Sequence, residues 1–203
     1  MAKKKSTKNW LHRHSSDRYV KLSQSGDYRS RAFHKLHEIN EKYKILKSSK
    51  NILDLGSAPG SWSEYISRNF DNKNLVAIDL IEMKSIRNVY FINGDINKKA
   101  DREKIINKMN RADLVLSDIA PNITGIEDVD QANFEEILES VLDICFDLLK
   151  INGVLVMKFF IGSSYDSSRE KLKKSFDKVV VYKPESSRSS SNEIFFVCNG
   201  YKD

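Results

Sequence analysis

From residue 51 onward, short apolar runs alternate with longer stretches whose apolar positions recur at helical spacing. The runs at 51–55, 75–79, 89–93, 114–118, 154–159, 178–182 and 194–198 read as strands. Several are apolar almost throughout, as expected of parallel strands buried on both faces. Between them, 61–69, 101–110, 130–150 and 164–175 read as helices. In 130–150, Phe134, Ile137, Leu138, Val141, Leu142, Cys145, Leu148 and Leu149 share one face, and Asn152-Gly153 reads as the stop. Ahead of this block, 28–46 predicts a further helix. Ala32, Leu36, Ile39, Tyr43 and Leu46 form its apolar stripe, with Arg31, Lys35, Glu38 and Lys42 on a neighbouring one. Residues 1–27 have no period and read as a flexible arm closed by a turn at Ser25-Gly26-Asp27. The alternation from 51 onward implies an α/β, doubly wound sheet within one domain, 28–203.

Charge divides the chain at the same place. Residues 1–50 hold 14 Lys/Arg against 4 Asp/Glu, whereas 51–203 hold 20 against 24. A basic leading segment on a mildly acidic body suits a phosphate-binding arm, in which Lys3, Lys4, Lys5, Lys8, Arg13, Arg18 and Lys21 interleave with Trp10, His12, His14 and Tyr19. A solubilising tail is the bland alternative. No apolar run approaches the ~18–20 residues of a membrane span, and the N-terminus lacks the apolar stretch of a signal peptide. The two cysteines, Cys145 and Cys198, are far apart, so no disulfide framework is expected. These features place the protein in the cytosol.

Ligands of such sheets lie beyond the carboxyl ends of the strands. The first strand ends in Asp54-Leu55-Gly56-Ser57-Ala58-Pro59-Gly60-Ser61-Trp62, a strand, a glycine turn and a helix. Its Gly56-to-Gly60 spacing is GxxxG, not the GxGxxG of dinucleotide sites, and Pro59 removes an N–H donor, which disfavours a pyrophosphate. Asp79 closes the second strand and suits a ribose diol, and Asp95 follows the third. A ligand with a ribose, a positive charge and no phosphate answers these acids, and S-adenosylmethionine has those properties. Asp118 closes the fourth strand and Lys158 the fifth, while Glu193 opens the last. If that last strand is antiparallel, Glu193 lies at the same rim. Lys35, off its helix's apolar stripe, makes two lysines and two acids that can converge.

These residues resemble the FtsJ/RrmJ family of ribose 2'-O-methyltransferases. The resemblance spans about 28–200 and rests on five pieces in order. They are the segment from Arg29 to Leu36, DLGSAPGSW at 54–62, SDIAPN at 117–122, Lys158, and the stretch from Lys183 through Arg188 to Glu193. It implies a Rossmann-like class I S-adenosylmethionine-dependent methyltransferase fold, with a seven-stranded, mostly parallel sheet whose last strand is antiparallel. It also implies a catalytic tetrad of Lys35, Asp118, Lys158 and Glu193. Gly60 and Trp62 fall in the cofactor loop beside Gly56, Asp79 on the cofactor ribose and Asp95 near the adenine. Asp118 faces both cofactor and lysine. The implied substrate is a uridine in the A-loop of 23S rRNA on the large ribosomal subunit, and the implied state is a monomer. The sequence departs from the family run at 159–162, where Phe159-Phe160-Ile161-Gly162 replaces a Val-Phe-Gln-Gly-like segment, and at His37, where an Asp is common.

The chemistry expected is transfer of a methyl group from sulfonium to a ribose 2'-oxygen. Lys158 either stabilises the developing alkoxide or acts as the base. No metal is expected, because His12, His14, His34 and His37 form no ligand set with a nearby cysteine. Three rivals remain at this level: the same chemistry on tRNA or an mRNA cap, a non-catalytic RNA-binding factor, and a nucleotide-dependent dehydrogenase. The intact tetrad and glycine turn disfavour the second, and the missing GxGxxG disfavours the third.

Overall fold

The computed structural model describes residues 28–188 and 190–202; the basic arm and its turn lie outside the described residues. The strands are β1 (Asn51–Leu55), β2 (Asn74–Asp79), β3 (Val89–Asn93), β4 (Ala112–Ser117), β5 (Leu149–Phe160), β6 (Phe176–Tyr182) and β7 (Glu193–Tyr201). The helices are α1 (Ala32–Tyr43), α2 (Ile45–Ser48), α3 (Ser61–Asn69), α4 (Lys99–Lys108), α5 (Glu127–Leu148) and α6 (Tyr165–Ser175). The seven strands form one sheet in the order β3-β2-β1-β4-β5-β7-β6. β1 pairs in parallel with β2 and β4, whereas β7 runs antiparallel between β5 and β6. This is the architecture expected from the sequence, antiparallel last strand included.

Two layers of helix cover the sheet, and alternate strand residues feed one layer or the other. Leu53, Leu55, Val115, Leu155 and Met157 pack with Phe134, Leu138, Val141 and Leu148 of α5 and Leu172 of α6. Ile52, Leu114, Leu116 and Val156 pack on the opposite face with Leu36, Ile39, Trp62 and Ile66 of α1 and α3. The central strands are thus buried on both sides, which is why they read as continuous apolar runs. Both cysteines are free and buried in this core. Among the described residues, no helix is long and apolar enough to cross a membrane.

The structure corrects two sequence expectations. The single helix at 28–46 is broken: Lys44 is left-handed (φ 54) and separates α1 from α2. Asn40 stabilises the break, its Oδ1 accepting from Leu46 N at 3.0 Å while its carbonyl accepts from Lys44 N at 2.7 Å. The apolar stripe continues across the break, so the pattern does not reveal it. The second correction concerns 130–150. That helix begins earlier, at Glu127, and ends at Leu148, and the chain enters β5 at once. Asn152-Gly153 therefore lies inside β5, where Asn152 has φ 64. Ala112 pairs with Leu149 but Leu114 with Val154, so the strand bulges here and the Asn-Gly pair turns it.

Candidate active site

The carboxyl ends of β1, β2, β4 and β5 and the start of β7 share one rim. Phe160 of β5 pairs with Glu193 of β7, which brings the antiparallel strand's first residue beside the fifth strand's last. Two ion pairs form there. Lys35 Nζ lies 2.6 and 2.7 Å from the two oxygens of Glu193. Lys158 Nζ lies 3.0 Å from Asp118 Oδ1 and donates its hydrogen bond to the Asp118 carbonyl. Lys35, Lys158 and Glu193 are all buried. Burial alone would raise the Glu193 carboxyl. Lys35, the Ser187 hydroxyl and the nearby charge of Lys158 outweigh that and hold it below its usual value. Lys158 is two residues before Phe160, the β5 partner of Glu193, so all four residues of the expected tetrad lie at this one rim.

Ser187 and Glu38 were not singled out as site residues from the sequence, yet they complete this arrangement. Ser187 Oγ donates to Glu193 Oε1 at 2.7 Å, leaving that carboxylate held from both sides. The 183–192 loop that carries Ser187 is pinned to α1 by Glu38, whose oxygens accept from Glu185 N at 2.7 Å and Ser186 N at 3.1 Å. Arg31 Nη2 donates to Ser186 O at 3.2 Å.

The glycine turn stands next to the Lys158–Asp118 pair. Gly56 and Gly60 have φ 69 and 104, values that L side chains rarely adopt. A Cβ on Gly56 would sit 2.5 Å from Ile119, the residue after Asp118, so the turn and the β4 loop touch. Asp118 N donates to Leu55 O at 3.2 Å across the same junction. Arg29 braces the turn: Nη1 donates to Pro59 O at 3.0 Å and Lys84 O at 2.7 Å, and Nη2 to Ser85 O at 2.9 Å. It thereby ties the loops after β1 and β2 together. Trp62 is placed differently from the open rim. Its ring is buried against Phe195, and Nε1 donates to Ala32 O at 2.8 Å, so its side chain docks α1 onto α3.

Asp79 and Asp95 lie at the ends of β2 and β3. Asp79 accepts from Ala58 N at 2.8 Å and Ile81 N at 2.7 Å, one bond on each oxygen. Each oxygen keeps a lone pair, so the carboxylate can also accept from a ribose diol. Asp95 Oδ1 accepts from Asn97 N at 2.9 Å. Leu80 and Ile81, 71% and 69% exposed, stand just beyond Asp79 and offer an apolar wall that the sequence reading missed. Asp54 forms the floor. Its Oδ2 accepts from Ser63 Oγ at 2.6 Å, and its Oδ1 is buried with no partner. Burial pushes this carboxyl up to about 7 against the Ser63 bond, and the charges of Asp118 and Asp79 push the same way. Acids around a glycine turn, with an apolar wall and a polar atom left over, suit a cationic nucleoside such as S-adenosylmethionine. Among the described residues no cluster of three His, Cys, Asp or Glu is arranged to hold a metal.

The chain is similar to known proteins over most of its length. Residues 28–201 match the FtsJ-like methyltransferase family. The chain is 42% identical over 205 residues to ribosomal RNA large subunit methyltransferase E of Pseudomonas fluorescens (strain Pf0-1), covering 100% of this chain and 98% of that one. It is 41% identical to the protein of that name from Pelagibacter ubique (strain HTCC1062), over 98% of each. Among solved structures, a putative ribosomal RNA methyltransferase from Plasmodium falciparum superposes with a TM-score of 0.77 at 34% identity, covering 86% of this chain and 98% of that one. Human methyltransferase-like protein 13, in complex with SAH, shares the fold at a TM-score of 0.61 and 16% identity, over 84% of this chain and 82% of that one.

Proposed function

The chain belongs to the FtsJ-like methyltransferase family, and we propose that its two lysine–acid pairs catalyse methylation of the 2'-oxygen of a uridine in the A-loop of 23S rRNA. It is an S-adenosylmethionine-dependent methyltransferase of large-subunit ribosomal RNA. The single observation that carries the site assignment is the meeting of Lys158–Asp118 and Lys35–Glu193 at one rim, beside the glycine turn.

S-adenosylmethionine, when bound, supplies a methyl group on a sulfonium. Gly56, Gly60, the first turn of α3 at Trp62, Asp79, Asp95 and Asp118 would hold it. The chain's own task is to present a ribose hydroxyl in line with that methyl group, since positioning alone can supply much of the rate. The Lys158 ammonium stabilises negative charge as it develops on the 2'-oxygen. Asp118 anchors the ammonium through two contacts, one from Oδ1 and one from its carbonyl. Lys35 and Glu193 hold the ribose from the other side, and Ser187 fixes Glu193. Bound there, S-adenosylmethionine would supply the methyl carbon to the 2'-oxygen and leave as a neutral thioether, while the hydroxyl proton would pass from the oxygen beside Lys158 to solvent.

We assign the basic segment 1–27 to the RNA phosphates, and read the enzyme as a cytoplasmic monomer. The test is methyl transfer from labelled S-adenosylmethionine to large subunits lacking 2'-O-methylation, with tRNA and Lys158→Ala as parallel arms. The expected result is label on an A-loop ribose, reduced at least about a hundredfold in Lys158→Ala, with cofactor binding retained. Label on tRNA alone would overturn the target. Near wild-type turnover by Lys158→Ala would overturn the role of the lysine.

A further inference from the structure

We propose that exposed apolar side chains on the two loops leaving Asp118 and Lys158 form a shelf for an unpaired nucleobase of the RNA strand, beside the nucleotide being methylated. This rests on the RNA-methylating reading above. Ten large apolar side chains stand exposed among the described residues, and four belong to these loops and the first turn of α5. They are Ile123, Ile126 and Val129, 60%, 61% and 42% exposed, and Ile161, 47% exposed. Ile161 is three residues beyond Lys158, and Ile123 five beyond Asp118.

Their exposure is built in. Asp130 accepts from Thr124 N at 2.7 Å, Thr124 Oγ1 at 2.8 Å and Gly125 N at 3.1 Å, which ties the β4 loop to α5. The adjacent Gln131 ties down the β5 loop. Its Oε1 accepts from Ser164 Oγ at 2.7 Å, and Gly162 packs so closely that a Cβ there would lie 2.2 Å from Gln131 Nε2. Phe134, one turn further along α5, stacks on Phe160 with ring centroids 4.8 Å apart. Two neighbouring residues of one helix therefore hold both loops, and the apolar side chains face outward from a fixed support.

Charge says which part of a nucleotide lies there. The first turn of α5 carries Glu127, Asp128 and Asp130 and no base. A phosphate would be repelled from it, whereas the uncharged face of a base would not. Across the tetrad, on the side of α1 and the 183–192 loop, stand Arg31 and Arg188, and burial and then the charge of Arg188 lower the Arg31 guanidinium. The rim thus carries two arginines beside acids on the α1 side, and apolar side chains with acids and no cation on the α5 side. A strand crossing it turns its phosphates to α1 and its bases to α5. Unstacked bases of single-stranded RNA bury themselves on such surfaces.

The test is the triple substitution Ile126→Ser, Val129→Ser and Ile161→Ser, with Phe146→Ser and Ile151→Ser, at the far end of α5 and the start of β5, as control. RNA affinity is measured over a salt series on an A-loop transcript and on unmethylated subunits, alongside S-adenosylmethionine affinity and thermal melting. The triple variant should bind RNA about tenfold more weakly or worse. The slope of log affinity against log salt should be unchanged, because no ionic contact is lost. Cofactor affinity and melting should match wild type, and the control variant should be indifferent. An abasic nucleotide next to the target should weaken wild type but not the triple variant further. Unchanged RNA affinity overturns the shelf. So does a loss seen with subunits but not with the transcript, which would assign the patch to a ribosomal protein. A wild-type enzyme that methylates no RNA would sink the functional reading and the shelf together. An active wild type with an unaffected triple variant would sink the shelf alone.

Discussion

Asp54 and Asp79 lie at the ends of the adjacent strands β1 and β2, Asp54 one residue before the last and Asp79 the last. The structure separates them by their partners. Asp79 accepts a backbone N–H on each oxygen, whereas Asp54 is fully buried with Oδ1 unbonded, and burial pushes it up to about 7. The groups that face it are Ser63 from α3, Asp118 from the end of β4 and Asp79 from the end of β2. The consequence for stability has a definite sign. In the unfolded chain the carboxyl ionises near 3.8, so between there and about 7 the folded state keeps a proton that the unfolded state has lost. Stability therefore falls as pH rises through that window. The full loss, reached above it, is at most about 4 kcal/mol. Asp54→Asn removes the titration. Urea unfolding at several pH values should show the variant losing less stability than wild type between pH ~5 and ~8. Parallel curves would mean that Asp54 is ionised throughout in the fold. The difference between the two acids was illegible in the sequence because it depends on which backbone amides a turn happens to aim.

Elements explain why some of the site could be read in advance. Asp118 and Lys158 sit at the carboxyl ends of strands, and a doubly wound sheet gathers those ends at one rim, so the periodicity nominates them; Glu193 joins them only because the last strand is antiparallel, which the resemblance implies and the pairing with β5 shows. Lys35 stands out as a lysine beside an apolar stripe. Glu38 and Ser187 carry no such mark. They meet because the 183–192 loop folds back on α1, bonding residues 147 and 148 positions apart. Lys44 and Asn152 escaped the reading for a related reason: both adopt positive φ without being glycine. The apolar pattern ran on through 44, and the Asn-Gly at 152–153 looked like an ordinary stop. The loop-to-helix tie makes its own prediction. Glu38→Ala removes both acceptors, so the amides of Glu185 and Ser186 should exchange hydrogen faster. Ser187 should then hold Glu193 less well. Turnover is expected to fall about tenfold, equivalent to roughly 1.4 kcal/mol of lost positioning, with S-adenosylmethionine affinity unchanged. Faster exchange without any loss of turnover would show that the loop merely packs there.

At the scale of the whole molecule, the proposed function divides between a sheet that would carry the chemistry and a charge distribution that would bring RNA to it. Residues 51–203 are net negative by four, so the strong attraction for a polyanion has to come from the first fifty residues. Of their cations, Arg29 braces the cofactor loops and Lys35 is committed to Glu193. The seven from Lys3 to Lys21 are set among Trp10, His12, His14 and Tyr19. Removing residues 1–24 tests whether they engage phosphate. Each phosphate contact to single-stranded RNA contributes about 0.7 to the slope of log affinity against log salt. If all seven cations take part, truncation should flatten that slope by up to about 5 and weaken binding most at low salt. The proposed cofactor residues all lie on or after β1, β2, β3 and β4, outside the truncated segment, so S-adenosylmethionine affinity should not change. The shelf predicts the opposite signature, lost affinity with the slope intact, so the two sources of RNA binding can be told apart in one salt series. An unchanged slope after truncation would reduce the segment to a solubilising tail and leave α1 and the 183–192 loop as the whole of the phosphate path.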